Sequence, residues 1–154
     1  MTKYLKFTNF YLMDKRKTYT YWVEGDCIKE YIYSGKSKNG ADKWIVNGED
    51  IEIKRENING LYTGYLSLDG IIYYLDLKYP LKIKKSLQDP FGEEDLVVTS
   101  MSKTVKTRAG TFKNCIEIQG VYSGYKLYFA PNVGFIKSGY DGLTKHELIK
   151  LKNR

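Results

Sequence analysis

LYTGYLSLDGIIYYLDLK, residues 61–78, is the stretch of sequence that decides the fold. It contains two runs rich in β-branched, aromatic and other apolar residues, and Asp69-Gly70 separates them. An Asp-Gly pair readily adopts the positive φ angles of the tight turns that join antiparallel strands. The stretch therefore predicts a β-hairpin with strands at residues 61–68 and 71–78.

The second of these strands alternates in character along its length. Because successive side chains of a strand point to opposite faces, apolar residues two positions apart share a face. We expect the face that ends in Leu77 to point into the core, with Asp76 and Lys78 on the opposite face. The residues predicted on the core side are Ile71, Tyr73, Leu75 and Leu77.

The same alternation recurs along most of the chain, and sustained helical periodicity is nearly absent. Asn-Gly or Asp-Gly pairs, which favour tight turns, begin at residues 39, 47, 59, 69 and 141. Regularly spaced turns of this kind predict a meander of consecutive antiparallel strands. The remaining strands are predicted at residues 18–24, 27–33, 43–46, 50–55, 95–106, 113–119, 125–130, 134–138 and 143–152, with a longer connection at residues 82–94.

Length and composition indicate one all-β domain over residues 1–154. A chain of 154 residues has the size of one domain, and its hydrophobic content of 42% is enough for a core. Its 15 tyrosines suit half-buried strands, where the ring packs and the hydroxyl stays in water. About ten short antiparallel strands predict a strongly curved sheet, a barrel or a half-barrel, which hides the sheet edges. Residues 143–152 also show a weak helical stripe, but a strand is favoured there.

The net charge of +7 favours acidic partners such as nucleic acid or an anionic membrane. The basic residues are nevertheless spread among acidic ones, which is typical of solvated strand faces. Small β-barrels bind single-stranded nucleic acid with exposed aromatics set among lysines. No RNA-recognition signature accompanies these residues here, so nucleic acid is not expected as a partner. The residues that could form such a platform are Tyr4, Lys6, Tyr19, Tyr21, Tyr31 and Tyr33.

The sequence contains no apolar run long enough to cross a membrane as a helix. Residues 1–10 lack the continuous apolar stretch and the cleavage site of a signal peptide. We therefore expect a cytoplasmic protein, or a protein of the cell envelope or extracellular space if a leader has been removed.

The segment TRAGTFKNCIEIQ, residues 107–119, is a small-residue turn followed by a strand-like run with a cysteine. A nucleophile elbow would require Gly-x-Ser-x-Gly between a strand and a helix, with a histidine and an acid elsewhere. This turn instead joins two strand-like runs, and the only histidine, His146, lies in a lysine-containing segment. The sequence therefore predicts no catalytic residues, no cofactor and no enzymatic activity, although carboxylate pairs brought together across strands are left open.

The cysteines and acidic residues form no recognisable metal site. One histidine with two distant cysteines, Cys27 and Cys115, does not supply the ligands that zinc needs. Each cysteine is interpreted as a small strand residue, and a disulfide between them is left open. An acidic cluster offers oxygen atoms to calcium but matches no calcium loop, so it is interpreted as a solvated turn. Its members are Asp89, Glu93, Glu94 and Asp95.

Three ordered segments form a set: Tyr79-Pro80-Leu81, VKTRAGTFKNCI at residues 105–116 and YFAPNVGFIK at residues 128–137. Together with a final leucine-containing strand at residues 148–151, the set resembles a group of bacterial envelope proteins, many of them described only as lipoproteins or domains of unknown function. The resemblance extends over residues 79–151. The resemblance implies a curved antiparallel half-barrel, similar to lipocalins and lipoprotein carriers. It also implies an exported, non-enzymatic protein that functions in binding or assembly, with an apolar ligand or another envelope protein as its partner.

Two further functions are left open by the sequence. One is a carrier that holds a lipid or another apolar molecule against the concave face of the sheet, a function suggested by fold analogy. The other is a basic protein-interaction module of the cytosol, of the inhibitor or immunity type. For the carrier, the predicted ligand-binding residues, which could instead form a closed core, are Tyr73, Leu75, Leu77, Tyr125, Leu127 and Phe129.

Overall fold

The computed structural model describes residues 10–88 and 94–154, and this part of the chain contains no helix. Its regular structure consists of twelve β-strands. They are β1 (Lys17–Val23), β2 (Cys27–Lys36), β3 (Asp42–Val46), β4 (Asp50–Asn57), β5 (Gly60–Ser67), β6 (Gly70–Lys78), β7 (Ser86–Gln88), β8 (Asp95–Thr107), β9 (Gly110–Gly120), β10 (Lys126–Ala130), β11 (Gly134–Tyr140) and β12 (Leu143–Asn153).

All of these strands belong to one antiparallel sheet, in the spatial order β6-β5-β4-β3-β2-β1-β12-β11-β10-β9-β8-β7. Each strand pairs with the next one in the chain except at the step from β6 to β7, and the pairing of β1 with β12 joins the two halves. The terminal strands β6 and β7 approach each other and bury Leu77 and Leu87 in one apolar cluster. The sheet is thus nearly closed into a barrel, which confirms the predicted all-β curved meander.

The turns that the sequence predicts are present. Asp69-Gly70 lies in the hairpin turn between β5 and β6, where Ser67 pairs with Gly70. Asn47 and Gly48 lie in the turn between β3 and β4, with φ angles of 52° and 75°. Asparagine and glycine adopt such left-handed angles more readily than other residues. The C-terminal segment is a strand, as predicted, and pairs with both β1 and β11.

The prediction of an uninterrupted connection at residues 82–94 is wrong, because β7 lies within it. Leu87 of β7 is only 3% exposed and pairs with Leu96 of β8. Burial of this one leucine in a mainly polar stretch stabilises a short strand at the end of the sheet.

A β-bulge in β6 changes which of its residues face the core. Leu75 and Tyr73 pair with residues of β5 that are adjacent in the chain, so Tyr74 between them is an extra residue. Beyond such a bulge the inward and outward faces exchange. Leu77 is fully buried as predicted, whereas Tyr73 is 38% exposed and Tyr74 faces the interior. The prediction that Tyr73 faces the core is therefore wrong.

The core consists of two apolar clusters that are continuous with each other. The first contains Tyr19 and Trp44, both fully buried, with their rings edge to face at 5.5 Å between centroids. The second contains Leu77 with Ile116 and residues of β7, β8 and β10. Phe135 packs against both clusters. Aromatic residues from the first strands are thereby packed together with aliphatic residues from the later ones.

Candidate functional site

The barrel encloses a cavity of about 670 Å³. At one end its lining residues, among them Asn47, Asp50 and Leu66, are exposed to solvent and mark the mouth. At the other end the lining residues include Met13 and Phe129, which are buried. The cavity is therefore open at one end of the barrel and closed at the other.

Residues 10–14 close the inner end of the cavity, and we call them the floor segment. The Tyr11 N–H donates a hydrogen bond to Glu56 Oε2 at 3.0 Å, and the Tyr79 hydroxyl donates to the same oxygen. Burial raises the pKa of Glu56, although these hydrogen bonds act in the opposite direction. Glu56 Oε1 is buried without a hydrogen-bond partner among the described residues. The carboxylate thus connects the floor segment to β4 and to the residue that follows β6.

The turn between β10 and β11 supports the floor segment from another side. The Asn132 N–H donates to the Phe10 carbonyl oxygen at 2.5 Å. A Cβ atom on Gly134 would lie only 3.0 Å from Met13 Cγ, so the missing side chain is what allows this close approach. The φ of Gly134, +100°, is also an angle that residues with side chains rarely adopt. The floor segment is therefore fixed by a turn as well as by β4.

One polar cluster lies in the wall of the cavity and consists of Tyr31, Glu52, Lys54 and Tyr74; we call it the Glu52 cluster. The hydroxyls of Tyr31 and Tyr74 donate to different oxygens of Glu52. Lys54 Nζ lies 3.6 Å from Glu52 Oε1, an ion pair longer than a hydrogen bond. Burial raises the pKa of Glu52, but the Lys54 ammonium and the two hydroxyls outweigh it and lower the pKa overall. Burial lowers the pKa of Lys54, and the Glu52 carboxylate opposes that effect.

A second polar cluster in the same cavity consists of Tyr125, Ser138 and His146, and we call it the Ser138 cluster. The Tyr125 hydroxyl and Ser138 Oγ share a hydrogen bond of 2.6 Å, and Ser138 Oγ shares one of 3.2 Å with His146 Nδ1. Burial lowers the pKa of His146, so its imidazole is neutral at pH 7. A neutral imidazole has one donor and one acceptor nitrogen. Because Nδ1 is engaged by Ser138, the other ring nitrogen, Nε2, is the one available to a molecule in the cavity.

Apolar side chains make up most of the remaining wall. Of the residues predicted to bind a ligand, those that line the cavity are Leu75, Tyr125, Leu127 and Phe129. Leu77 instead lies in the packed core. Tyr73 faces outward because of the bulge in β6, and Tyr74 lines the cavity in its place. The role of the predicted residues in binding stays a prediction.

The charged members of the wall could not be found from the sequence pattern. Glu52 and Lys54 alternate with Ile51 and Ile53, a pattern that normally places the charges in solvent. The available signal is the abundance of tyrosine, because a tyrosine buried in a wall usually has a hydrogen-bond partner for its hydroxyl. That signal predicts polar partners inside the barrel without saying which residues they are.

Glu94 of the acidic cluster and the 107–119 segment have structural roles. Within residues 10–88 and 94–154, no group of three or more histidine, cysteine, aspartate or glutamate side chains could hold a metal ion. Ser123 Oγ donates to Glu94 at 2.7 Å, while Asp89 and Glu93 lie outside the described residues. Thr107 pairs with Gly110 in the hairpin turn between β8 and β9, as the strand–turn–strand interpretation predicts.

Both cysteines are free thiols, so the disulfide left open by the sequence is not formed. Cys27 is exposed and Cys115 is buried. Burial raises the pKa of the Cys115 thiol to about 11. A thiol with so high a pKa is a weak nucleophile at neutral pH.

The tyrosines considered for a nucleic-acid platform do not share an exposed surface. Tyr19, Tyr21 and Tyr31 are buried in the interior. Tyr33 packs partly buried against the first core cluster, and Tyr4 and Lys6 lie outside the described residues. The platform considered from the sequence is therefore not formed by the residues that the structure describes.

The fold and the cavity define a class of protein: a nearly closed antiparallel β-barrel with an internal cavity open at one end. No helix in the described part of the chain is long and apolar enough to cross a membrane. Comparisons with protein-family models, with curated proteins and with solved structures give no match. The resemblance of residues 79–151 to bacterial envelope proteins stays a prediction, as do the location, the partners and the non-enzymatic role that it implies.

Proposed function

We propose that the protein binds a small, largely apolar molecule inside its barrel. The observation that carries this proposal is the cavity of about 670 Å³, closed at its inner end by the floor segment. Small-molecule sites in proteins typically have volumes of roughly 300–1,000 Å³, mainly apolar walls and a few polar groups. The cavity has this size and this kind of lining.

The Glu52 cluster supports a binding role rather than a purely structural one. Burying a carboxylate and an ammonium lowers folding stability, and well-packed apolar residues in their place are often as stable or more so. Lys54 is nonetheless only 9% exposed in the wall of the cavity. A bound molecule that contacts these groups is the simplest reason for such an arrangement.

Native mass spectrometry of the freshly purified protein tests the proposal. We expect a bound apolar molecule in part of the population, or uptake of an added apolar dye such as Nile red. Leu127→Trp should weaken uptake, because the larger ring occupies part of the cavity that Leu127 lines. Leu68→Trp is the matched control, since Leu68 is fully exposed. The proposal is wrong if the wild-type protein is folded by circular dichroism and takes up no apolar molecule.

The setting that we propose for this binding is the cell envelope, and the support for it is the resemblance of residues 79–151 to bacterial envelope proteins. Fractionation of cells that produce the protein from its natural gene tests this setting. Recovery in the envelope or the medium is the expected result. Recovery in the cytosol alone would contradict the setting and leave the binding proposal unaffected.

A further inference from the structure

Lys54 is a buried basic residue in the cavity wall. Its ammonium carries three N–H donors. Within residues 10–88 and 94–154 its nearest charged partner is Glu52 Oε1 at 3.6 Å, and Nζ makes no hydrogen bond of 3.5 Å or less. The Tyr31 ring, with its centroid 5.9 Å from Nζ, adds a weak cation–π contact. Lys54 therefore has donors available to a molecule in the cavity.

Glu52, in contrast, is already well satisfied. Each of its oxygens accepts a hydrogen bond from a tyrosine hydroxyl, one from Tyr31 and one from Tyr74. Its negative charge is balanced by the neighbouring Lys54 ammonium and offset further by Lys29, which also lines the cavity. The carboxylate thus has little remaining need for a donor from a ligand, while the adjacent ammonium still lacks an acceptor.

We propose, building on the proposed function, that the ligand is an uncharged amphiphile whose oxygen acceptor, such as an ester or amide carbonyl, accepts a hydrogen bond from Lys54 Nζ. A free carboxylic acid would place a second negative charge beside Glu52, and an amine a second positive charge beside Lys54. An alkane would leave the ammonium donors unpaired. A neutral acceptor satisfies the donors and keeps the ion pair balanced.

The surrounding wall fits the apolar part of such a molecule. Lys54 lies on β4 two residues farther from the mouth than Glu52, and it pairs across the sheet with Thr63. Leu61 and Phe129, both buried, line the same inner part of the cavity. The hydrocarbon chain of the amphiphile would therefore contact apolar side chains on either side of its carbonyl group.

A panel of four probes with the same chain length tests the inference: methyl laurate, lauric acid, dodecylamine and dodecane. Displacement of Nile red at pH 7 gives their affinities. We expect methyl laurate to bind about tenfold more tightly than dodecane, which lacks the one hydrogen bond to a charged group. It should also bind more tightly than lauric acid and dodecylamine, each of which adds an unbalanced charge. Equal affinities of all four would overturn the inference and leave the proposed function standing. Failure of Nile red and every probe to bind would overturn both.

Variants of the ion pair give a second, independent readout. Lys54→Met should remove the preference for methyl laurate over dodecane, whereas Lys150→Met, at an exposed position of β12, should keep it. Glu52→Gln leaves the ammonium unbalanced and should improve the affinity for lauric acid by about tenfold relative to methyl laurate. Thermal unfolding shows whether each variant is folded. If Lys54→Met does not fold, the result for Glu52→Gln alone decides the test. An unchanged preference in Glu52→Gln contradicts the inference.

Discussion

The Glu56 carboxylate accepts a hydrogen bond from the Tyr11 N–H at 3.0 Å, although 45 residues separate the two in the sequence. This contact joins a strand of the barrel to the segment that closes the cavity. No strand pairing of the floor segment is present among the described residues, so side chains and turns hold it in place. The Glu56 carboxyl group is therefore one of the contacts that hold the closed end of the cavity in place.

Replacement of Glu56 by glutamine should change how stability depends on pH. Burial raises the pKa of Glu56 above its ordinary value of 4.5, so the folded chain binds this proton more tightly than the unfolded chain. Its contribution to stability is full below about pH 4.5 and is lost as the pH rises through the folded pKa. We expect the unfolding free energy of the wild type, relative to Glu56→Gln, to fall as the pH rises above about 4.5 in urea denaturation experiments.

Glu49→Gln, at an exposed position in the turn after β3, is the control for the general loss of a carboxyl group. A wild-type advantage that grows with pH would contradict the prediction. It would show that the hydrogen bonds from the floor segment outweigh the effect of burial on Glu56.

Tyr74→Phe should destabilise the protein, because it removes a donor to the buried Glu52 carboxylate. We expect a loss of about 1–2 kcal/mol in the free energy of unfolding. Tyr73→Phe is a matched control one residue away, since its side chain is on the outer side and its hydroxyl makes no hydrogen bond to the described residues. That change should stay within about 0.5 kcal/mol. Equal losses of stability in both variants would mean that the bulge in β6 does not place the two tyrosine side chains on opposite faces of the sheet.

Gly64→Ala should disturb the same bulge from the opposite strand. A Cβ atom at residue 64 would lie 2.6 Å from the Ile72 carbonyl oxygen, a backbone atom that cannot rotate away. We expect a destabilisation of about 2 kcal/mol or more, measured by thermal or urea unfolding. Gly40→Ala separates this clash from ordinary backbone strain: Gly40 has φ of +80° but nothing within 4 Å of the new atom. Gly40→Ala should lower the free energy of unfolding by about 1 kcal/mol. A larger loss of stability in Gly40→Ala than in Gly64→Ala would contradict the steric argument.

The meander could be predicted from the sequence because local signals determine it. The Asp69-Gly70 and Asn47-Gly48 turns, with alternation on either side, need no knowledge of distant residues. Near-closure of the barrel depends on contact between β6 and β7, which involves the single buried Leu87 in a polar stretch. No short-range pattern identifies that contact.

The candidate site could be predicted only in part, for two physical reasons. One extra residue at Tyr74 exchanges the faces of β6, and alternation alone cannot locate such an insertion. The opposite charges of Glu52 and Lys54 offset each other inside the barrel, whereas charges at alternating positions of a strand ordinarily indicate a solvated face. The prediction that Leu127 and Phe129 share a face holds, because no register shift interrupts the pairing of β10 with β9.

The two cysteines should differ sharply in reactivity toward a thiol reagent such as iodoacetamide. Cys27 is exposed, while Cys115 is buried with its pKa raised to about 11, so only about one Cys115 in a thousand is a thiolate at pH 8. We expect one thiol per chain to react quickly in the folded protein and two after unfolding in guanidinium, as counted by mass spectrometry. Cys27→Ser should remove the fast reaction and Cys115→Ser should preserve it. Rapid labelling of Cys115 in the folded protein would show that β8 and β9 open to solvent around it.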